Sequence, residues 1–503
     1  MAELTVYVVA FLAFYIGVLL WMGQRAAKHS KTLEGYALGG RWLSSLAWGL
    51  SGFATWGSAS AYMGVPALMY TFGWSFWWLP MATTITPVIA IILFTGRMRK
   101  QGEKLGALTT QDYISFRYGG GICGEILRLL ISIILMIITV GWMIAQFKGS
   151  GTLFKYIVGG PFEFGVLISA IVILIYVVVG GMLAAALTDV FQAAFMILIS
   201  IVLVPVVLGA VGGFEGMSAG LAKIDPGLAQ PFYKWWTPLF AVCLFPYWFG
   251  FYASMPFYNN KWLALRGGKG YWREVLEFAI GFQAGQTFEI ILWWCGGAAR
   301  AMGITATPPY GADMVIPELI VRFLHPALVV VGLVAILAAI MSTVDHVVHA
   351  AGLALGNDIY RRIIRRAKQD DAKVISNALL ISRIMVFVFV VIGAAWTFIS
   401  PPPLLSLLMY YVAGWMMSAL LVPMGMGLWY KEATPQAALA SALAGLIGFT
   451  WCSTPGVGPG LGYAVDGSFG ILSSLIAFLV VQFIVLKLKG ERAIPKVATE
   501  IFE

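Results

Sequence analysis

Long apolar runs follow one another along almost the whole chain, and that repetition constrains the fold more than anything else in the sequence. A run of about 20 apolar residues is what an α-helix needs to cross the ~30 Å hydrocarbon core of a bilayer. The runs are continuous, whereas the strands of a membrane barrel alternate polar and apolar residues, so helices are the expected spanning element. Only 11% of the 503 residues are charged and 60% are hydrophobic, against about 25% charged in an ordinary soluble chain. So few charges cannot coat a water-soluble domain, and so apolar a chain is not a disordered one. The sequence therefore predicts an all-α, polytopic membrane protein embedded in a lipid bilayer.

Thirteen helices are expected, near 4–24, 44–70, 74–96, 124–150, 163–186, 188–212, 237–260, 275–299, 325–358, 376–398, 403–429, 436–453 and 468–487. Glu3 and the lack of a basic leader make the first a retained span. Basic residues gather in alternate loops. Arg25, Lys28, Lys31 and Arg41 follow the first helix, Lys261, Arg266, Lys269 and Arg273 the seventh, and Arg361, Arg362 and Lys368 the ninth. This reading puts 26 of the 32 basic residues on one side, which the positive-inside bias assigns to the cytoplasm. The N-terminus is then outside and the C-terminus inside a cell membrane. The +9 net charge is thus a topology signal, and no nucleic-acid partner is expected. Cys123, Cys243, Cys295 and Cys452 lack metal-site spacing and read as packed thiols. No enzyme motif stands in a plausible context, and no cofactor is expected.

Two helices carry breaks. The second reads SSLAWGLSGFATWGSASAYMG, with Gly49, Gly52 and Gly57 at mid-depth; the seventh reads LFPYWFGFYASMPFY, with Pro246, Gly250 and Pro256. Interrupted helices at matching positions in two halves are the sequence signature of a transporter site, because unwinding frees backbone carbonyls for a cation and exposes helix ends to a solute. Glycines that merely allow close packing are the competing explanation. The spacing fits a 5+5 inverted repeat over 44–212 and 237–430, joined by an extracytoplasmic loop at 213–236. Residues 1–43 then form an extra helix and first loop, and 431–503 two further helices and a tail.

Four stretches resemble the sodium/solute symporter family, whose members include sodium–proline, sodium–pantothenate and sodium–sugar cotransporters. They run from Tyr36 to Gly73, Gly106 to Gly119, Gly180 to Met196 (GGMLAAALTDVFQAAFM) and Leu337 to Tyr360 (LAAIMSTVDHVVHAAGLALGNDIY). The resemblance implies a LeuT-like fold, with sodium as coupling ion. It also implies a sodium site built from the carbonyls of Ala54, Gly57 and Ala339 and the hydroxyls of Ser342 and Thr343. Independently, Ala339, Ser342, Thr343 and His346 share one helix face by spacing, and oxygen ligands suit a hard cation. Hydroxyls bonded back to the preceding turn are the plainer alternative.

Asp189 matches a position that in some relatives serves a further ion or the exit path; capping the sixth helix beside Thr188 is the alternative. Asp345, His346 and His349 lie just below the hydroxyls, with Asp345 and His349 spaced to pair; they could relay protons or line the inward exit, and a hydrogen-bonded packing cluster is the alternative. The sequence departs from the family pattern at Trp56 and in the seventh helix, so solute contacts are not inherited. Candidates for them are Ser51, Thr55, Trp56, Tyr247, Trp248, Phe251 and Tyr252, whose rings suit an ammonium group, together with Glu289 and Lys148. An ionisable residue at membrane depth needs a partner or a cavity, so these two could hold opposite ends of a solute or pair with one another, and Lys148 could instead snorkel outward. The expected activity is sodium-coupled import of an amino-acid-like, betaine-like or carboxylate solute. Proton coupling is the main alternative, and a transporter-like sensor is disfavoured by a tail of about sixteen residues after Lys487.

Overall fold

The computed structural model describes residues 2–267, 270–305, 311–366, 371–399 and 405–502. Lys269, Lys368 and the start of the helix expected at 403–429 lie outside them. The described residues are overwhelmingly helical, and among them a single isolated bridge, Tyr233 with Trp236, is the nearest thing to a strand. In chain order come α1 (Ala2–Ala27), α2 (Ser45–Trp56), α3 (Val65–Phe72), α4 (Trp78–Ala90), α5 (Thr110–Arg117), α6 (Ile122–Val158) and α7 (Phe162–Val211). They are followed by α8 (Pro238–Ser254), α9 (Pro256–Leu263), α10 (Tyr271–Ala301), α11 (Pro326–Leu353), α12 (Ala372–Ile399), α13 (Leu405–Trp429), α14 (Pro435–Ser453) and α15 (Tyr463–Lys489).

Ten stretches are long and apolar enough to cross a membrane, or eleven if the bent pair α8–α9 is one crossing. The count falls below thirteen where helix runs through an expected boundary. The fifth and sixth helices are one continuous element, α7, and its kink is at Gly181 (φ 57°, ψ −149°), five residues before the expected end of the fifth. Glycine is required there: the left-handed φ strains any side chain, and a Cβ would meet the Tyr36 ring at 2.6 Å. Similarly, Ser60–Leu105 forms one apolar stretch, which joins the far half of the second expected helix to the third.

The faces of the helices divide by environment. On α6, Ile122, Ile126, Leu129, Ile133 and Ile137 are exposed, while Leu127, Ile131, Leu135 and Ile138 are buried. Such a stripe covers a hydrocarbon-facing surface on one side and the protein core on the other. Small residues bring α2 against α10. A Cβ at Gly49 would stand 2.2 Å from the Phe278 carbonyl oxygen, and one at Gly281 2.3 Å from that of Leu46. Gly49 therefore serves close packing, whereas the break in the second expected helix falls at Gly57.

Candidate functional site

The helix that begins with α2 ends at Trp56 because Gly57 turns its ψ to 88°. In a continuous helix the Thr55 carbonyl would accept from the Ala59 N–H. Here that N–H donates instead to the Gln146 side chain on α6 (2.8 Å), and Ser58 accepts from the Ala61 N–H to start the next helical segment. The last carbonyls of α2 are thus free of their usual partners, a position that normally demands a side chain, water or ligand.

The partners come from α11. Ser342 donates its hydroxyl to the Ala54 carbonyl at 2.7 Å and Thr343 donates to the Thr55 carbonyl at 2.8 Å. Each hydroxyl also lies 3.2 Å from the Ala339 carbonyl, so back-bonding to the preceding turn and contact across the helices coexist. Five oxygens converge, all neutral and all buried. A hydroxyl carries one proton and can rotate it away, exposing lone pairs to a hard cation. Of the residues expected here, Ala54, Ala339, Ser342 and Thr343 meet. A side chain at Gly57 would run into Met196 and stand 3.1 Å from Glu289 Oε2.

One turn below lies a charged cluster. Asp189 Oδ2 accepts from Ser51 Oγ (2.6 Å) and Thr55 Oγ1 (3.2 Å) and lies 2.7 Å from His346 Nε2. Asp189 does not cap a helix, because α7 runs unbroken through it once the turn has moved to Gly181. Asp345 accepts from the Tyr176 hydroxyl at 3.1 Å. His349 does not pair with Asp345; its Nε2 lies 2.9 Å from the Tyr36 carbonyl.

The sequence reading placed Lys261 in a basic loop. It is instead fully buried, on α9, with its ammonium donating to the Ser51 carbonyl (2.9 Å), Ser51 Oγ (2.7 Å), Thr55 Oγ1 (2.6 Å) and Asp189 Oδ2 (3.3 Å). The reason is the 51° bend between α8 and α9, which falls at Met255–Pro256. Pro246 lies within α8 without breaking it. The bend turns α9 inward and is held by Asn259, whose side-chain amide donates to the Ala253 carbonyl at 3.0 Å. The available signal was a lysine five residues past a proline that ends an apolar helix, with Asn259 and Asn260 between them.

On the other side of α2, Trp56 meets the rings of Trp248, Phe251 and Tyr252 at centroid distances of 5.0, 5.3 and 5.2 Å. Beside them is a small cavity with room for about one water, lined by Trp56, Ser58, Ser60, Trp142, Phe251 and Tyr410 among others. Ser51 and Thr55 are turned away from this cavity, toward Asp189 and Lys261. Tyr247 does not line the cavity; it is buried against Trp248 and Tyr463 and donates to the Tyr410 carbonyl at 2.5 Å. Glu289 is fully buried and faces the Trp56 indole, with no well-formed hydrogen bond to either carboxyl oxygen. Lys148 does not reach it; its ammonium lies 3.5 Å from Asp313. Trp142 and Gln146 have nothing in their local sequence to distinguish them from packing residues, whereas Ser58 stands directly after the break glycine Gly57.

Comparison with known proteins adds to this geometry. The model of the sodium:solute symporter family matches residues 36–445. The osmoregulated proline transporter OpuE of Bacillus subtilis is 26% identical, over 96% of this chain and 95% of its own length. A sodium/pantothenate symporter of Haemophilus influenzae is 25% identical, over 98% of both. Among solved structures, a Na+-coupled sialic acid symporter in a substrate-bound outward-open state superposes with a TM-score of 0.77 at 18% identity, covering 95% of this chain and 98% of that one. The nucleobase-cation-symport-1 family transporter Mhp1, in a closed conformation, gives 0.53 at 12% identity, over 93% and 97%.

Proposed function

The chain belongs to the sodium:solute symporter family, and from that membership we propose that it imports a small polar organic solute together with sodium by alternating access. The observation that carries this reading is the meeting of the Ser342 and Thr343 hydroxyls with the Ala54 and Thr55 carbonyls at 2.7 and 2.8 Å. Sodium entering there would replace hydrogen bonds between α2 and α11 with ion–oxygen contacts and fix the two helices in a set relation. α2 also carries Trp56, so the same event would order one wall of the aromatic cavity. Each charge moving down the membrane potential contributes about 2.3 kcal/mol per 100 mV.

In this proposal the solute occupies the space beside Trp56, Trp142 and Phe251, which has room for about one water as it stands and would widen as the helices move in alternating access. The faces of these rings and the buried Glu289 carboxyl favour a solute bearing an ammonium or quaternary amine. The relatives transport proline and pantothenate, so the family relation itself leaves the solute open. Thirteen crossings are proposed by dividing α7 at Gly181 and the apolar stretch Ser60–Leu105 at Gly73. The breaks at Gly57 and Met255 would then occupy equivalent places in repeats at 44–212 and 237–430. The N-terminus is assigned to the outside of the cell membrane on the distribution of basic loops; removing Lys261 from the loop set leaves that bias in place.

Uptake into proteoliposomes under an inward sodium gradient at fixed pH tests the reading. Wild-type uptake should require sodium, and Ser342→Ala with Thr343→Ala should abolish the requirement together with accumulation; sodium-independent accumulation overturns it. A specific observation favours proton coupling as the second reading: Asp189 lies 2.7 Å from His346, with Asp345 close by. It predicts accumulation driven by a proton gradient alone.

A further inference from the structure

The Lys261 ammonium is surrounded as a bound metal cation would be. Its four oxygen neighbours are a backbone carbonyl, two hydroxyls and a carboxylate, at 2.6–3.3 Å. An ammonium has three N–H donors for these four acceptors, so one proton is shared, and no neighbour in the set needs a lysine in particular. All four oxygens have a second hydrogen-bond role in the site. Thr55 is the hinge: its hydroxyl accepts from Lys261 while its carbonyl accepts from Thr343. The two positions are therefore adjacent, one turn apart on α2, and share a residue.

We propose that Lys261 is a resident cation that fills a second cation position formed by Ser51, Thr55 and Asp189, leaving this carrier a single exchangeable sodium at Ala54, Ser342 and Thr343. The assignment rests on the sodium reading of the latter site. A tethered charge delivered by the α8–α9 bend neutralises Asp189 without being released, and it repels any free cation seeking the same oxygens. The surroundings retain capacity for one. Among the described residues, Asp189 Oδ1, Asp345 Oδ1 and His346 Nδ1 are buried without a hydrogen-bond partner, and ligand atoms of these three residues lie within 4.8 Å of one another. Removing the ammonium while keeping the carboxylates should open the position to a diffusible ion. Replacing the sodium-site hydroxyls should leave Lys261 where it is.

Equilibrium binding of radioactive sodium to the purified full-length chain, without solute, reads this directly. The wild type should bind one sodium per chain with a Hill coefficient near one. Lys261→Met keeps most of the side-chain volume and removes the charge; it should bind two, with a Hill coefficient above one. Lys261→Arg should stay at one, and Lys261→Met with Asp189→Asn should return to one. If Lys261→Met does not purify, Lys261→Ala prepared with ethylammonium supplies the missing cation, and dialysing it away should expose the second sodium. A wild type that binds two ions overturns the proposal. So does a Lys261→Met or dialysed Lys261→Ala chain that still binds one, or a second ion that persists without Asp189. A wild type that binds no sodium sinks the sodium reading itself, whereas one bound ion unchanged by loss of Lys261 sinks the resident-cation assignment alone.

Discussion

Thr343 donates its hydroxyl to the carbonyl of Thr55 across 2.8 Å, tying α11 to the broken end of α2. That carbonyl has lost the Ala59 N–H to Gln146, so the threonine satisfies a backbone group that the fold would otherwise leave bare.

Thr343→Val removes the hydroxyl and keeps the shape. Leaving a buried acceptor unsatisfied costs about 1–3 kcal/mol, so the thermal midpoint of the purified protein should fall. The sodium concentration for half-maximal uptake should rise about tenfold, corresponding to about 1.4 kcal/mol of ion binding. A sodium dependence equal to the wild type's would remove Thr343 from the site.

Trp56→Ala should separate solute from ion. The ring walls the cavity and makes no contact with the Ser342 and Thr343 oxygens, so sodium binding measured without solute should change less than threefold. Solute affinity should drop by tenfold or more, consistent with a buried aromatic anchor worth about 2 kcal/mol or above. Equal losses in both would mean that the cavity and the ion site are one unit.

Glu289→Gln is nearly isosteric and tests the charge of the solute. If the solute carries an ammonium group, the substitution should weaken its binding about tenfold or more, in keeping with loss of a desolvated charge partner, while the folded protein is no less stable. A solute whose affinity survives the change does not place a cation at Glu289.

On the short helix α5, Asp112 is buried and hydrogen-bonded to Arg128, Arg362 (3.2 Å) and Asn357 (3.0 Å). Burial pushes its carboxyl up, but the two guanidiniums and the amide outweigh that and hold it below the ordinary carboxylate range. A depressed folded value means that the stabilisation is complete above the unfolded value, about pH 4, and is lost as the pH falls through the folded value. Asp112→Ala should therefore lower the thermal midpoint at pH 7, by an amount matching about 3–5 kcal/mol for a stranded buried charge. The deficit should shrink as the pH falls below about 4, where the wild type loses the Asp112 contribution, and a deficit undiminished in acid would contradict this account.

Much of this was legible in the sequence because apolar runs and glycine breaks are local features. The break at Gly57 and the partnership of α2 with Ala339, Ser342 and Thr343 follow from short motifs. Lys261 was not legible: a lysine after an apolar helix looks like a loop residue until the bend at Met255 is known. Gly181 was hidden by GGMLAAAL, an apolar sequence that reads as uninterrupted helix whichever glycine turns. The pairing of Lys148 with Asp313 joins residues 165 positions apart, beyond any periodicity. Gly49 and Gly57 look alike in sequence, and it takes the neighbouring Phe278 carbonyl and the ψ of 88° to give one a packing role and the other the break.

Thr55 and Trp56 are consecutive, and they look into different chambers: the first toward Lys261 and Thr343, the second toward the aromatic cavity. Successive helical residues differ by about 100° around the axis, and the peptide plane between them resists twisting with a barrier of about 18–20 kcal/mol. Under the proposed function, a turn of α2 that moved Thr55 would carry Trp56 with it for as long as the helix stays wound, so ion and solute would feel one motion. The φ and ψ angles on either side of the peptide are soft, so unwinding the last turn of α2 would be the way to let the ion cross without its passenger.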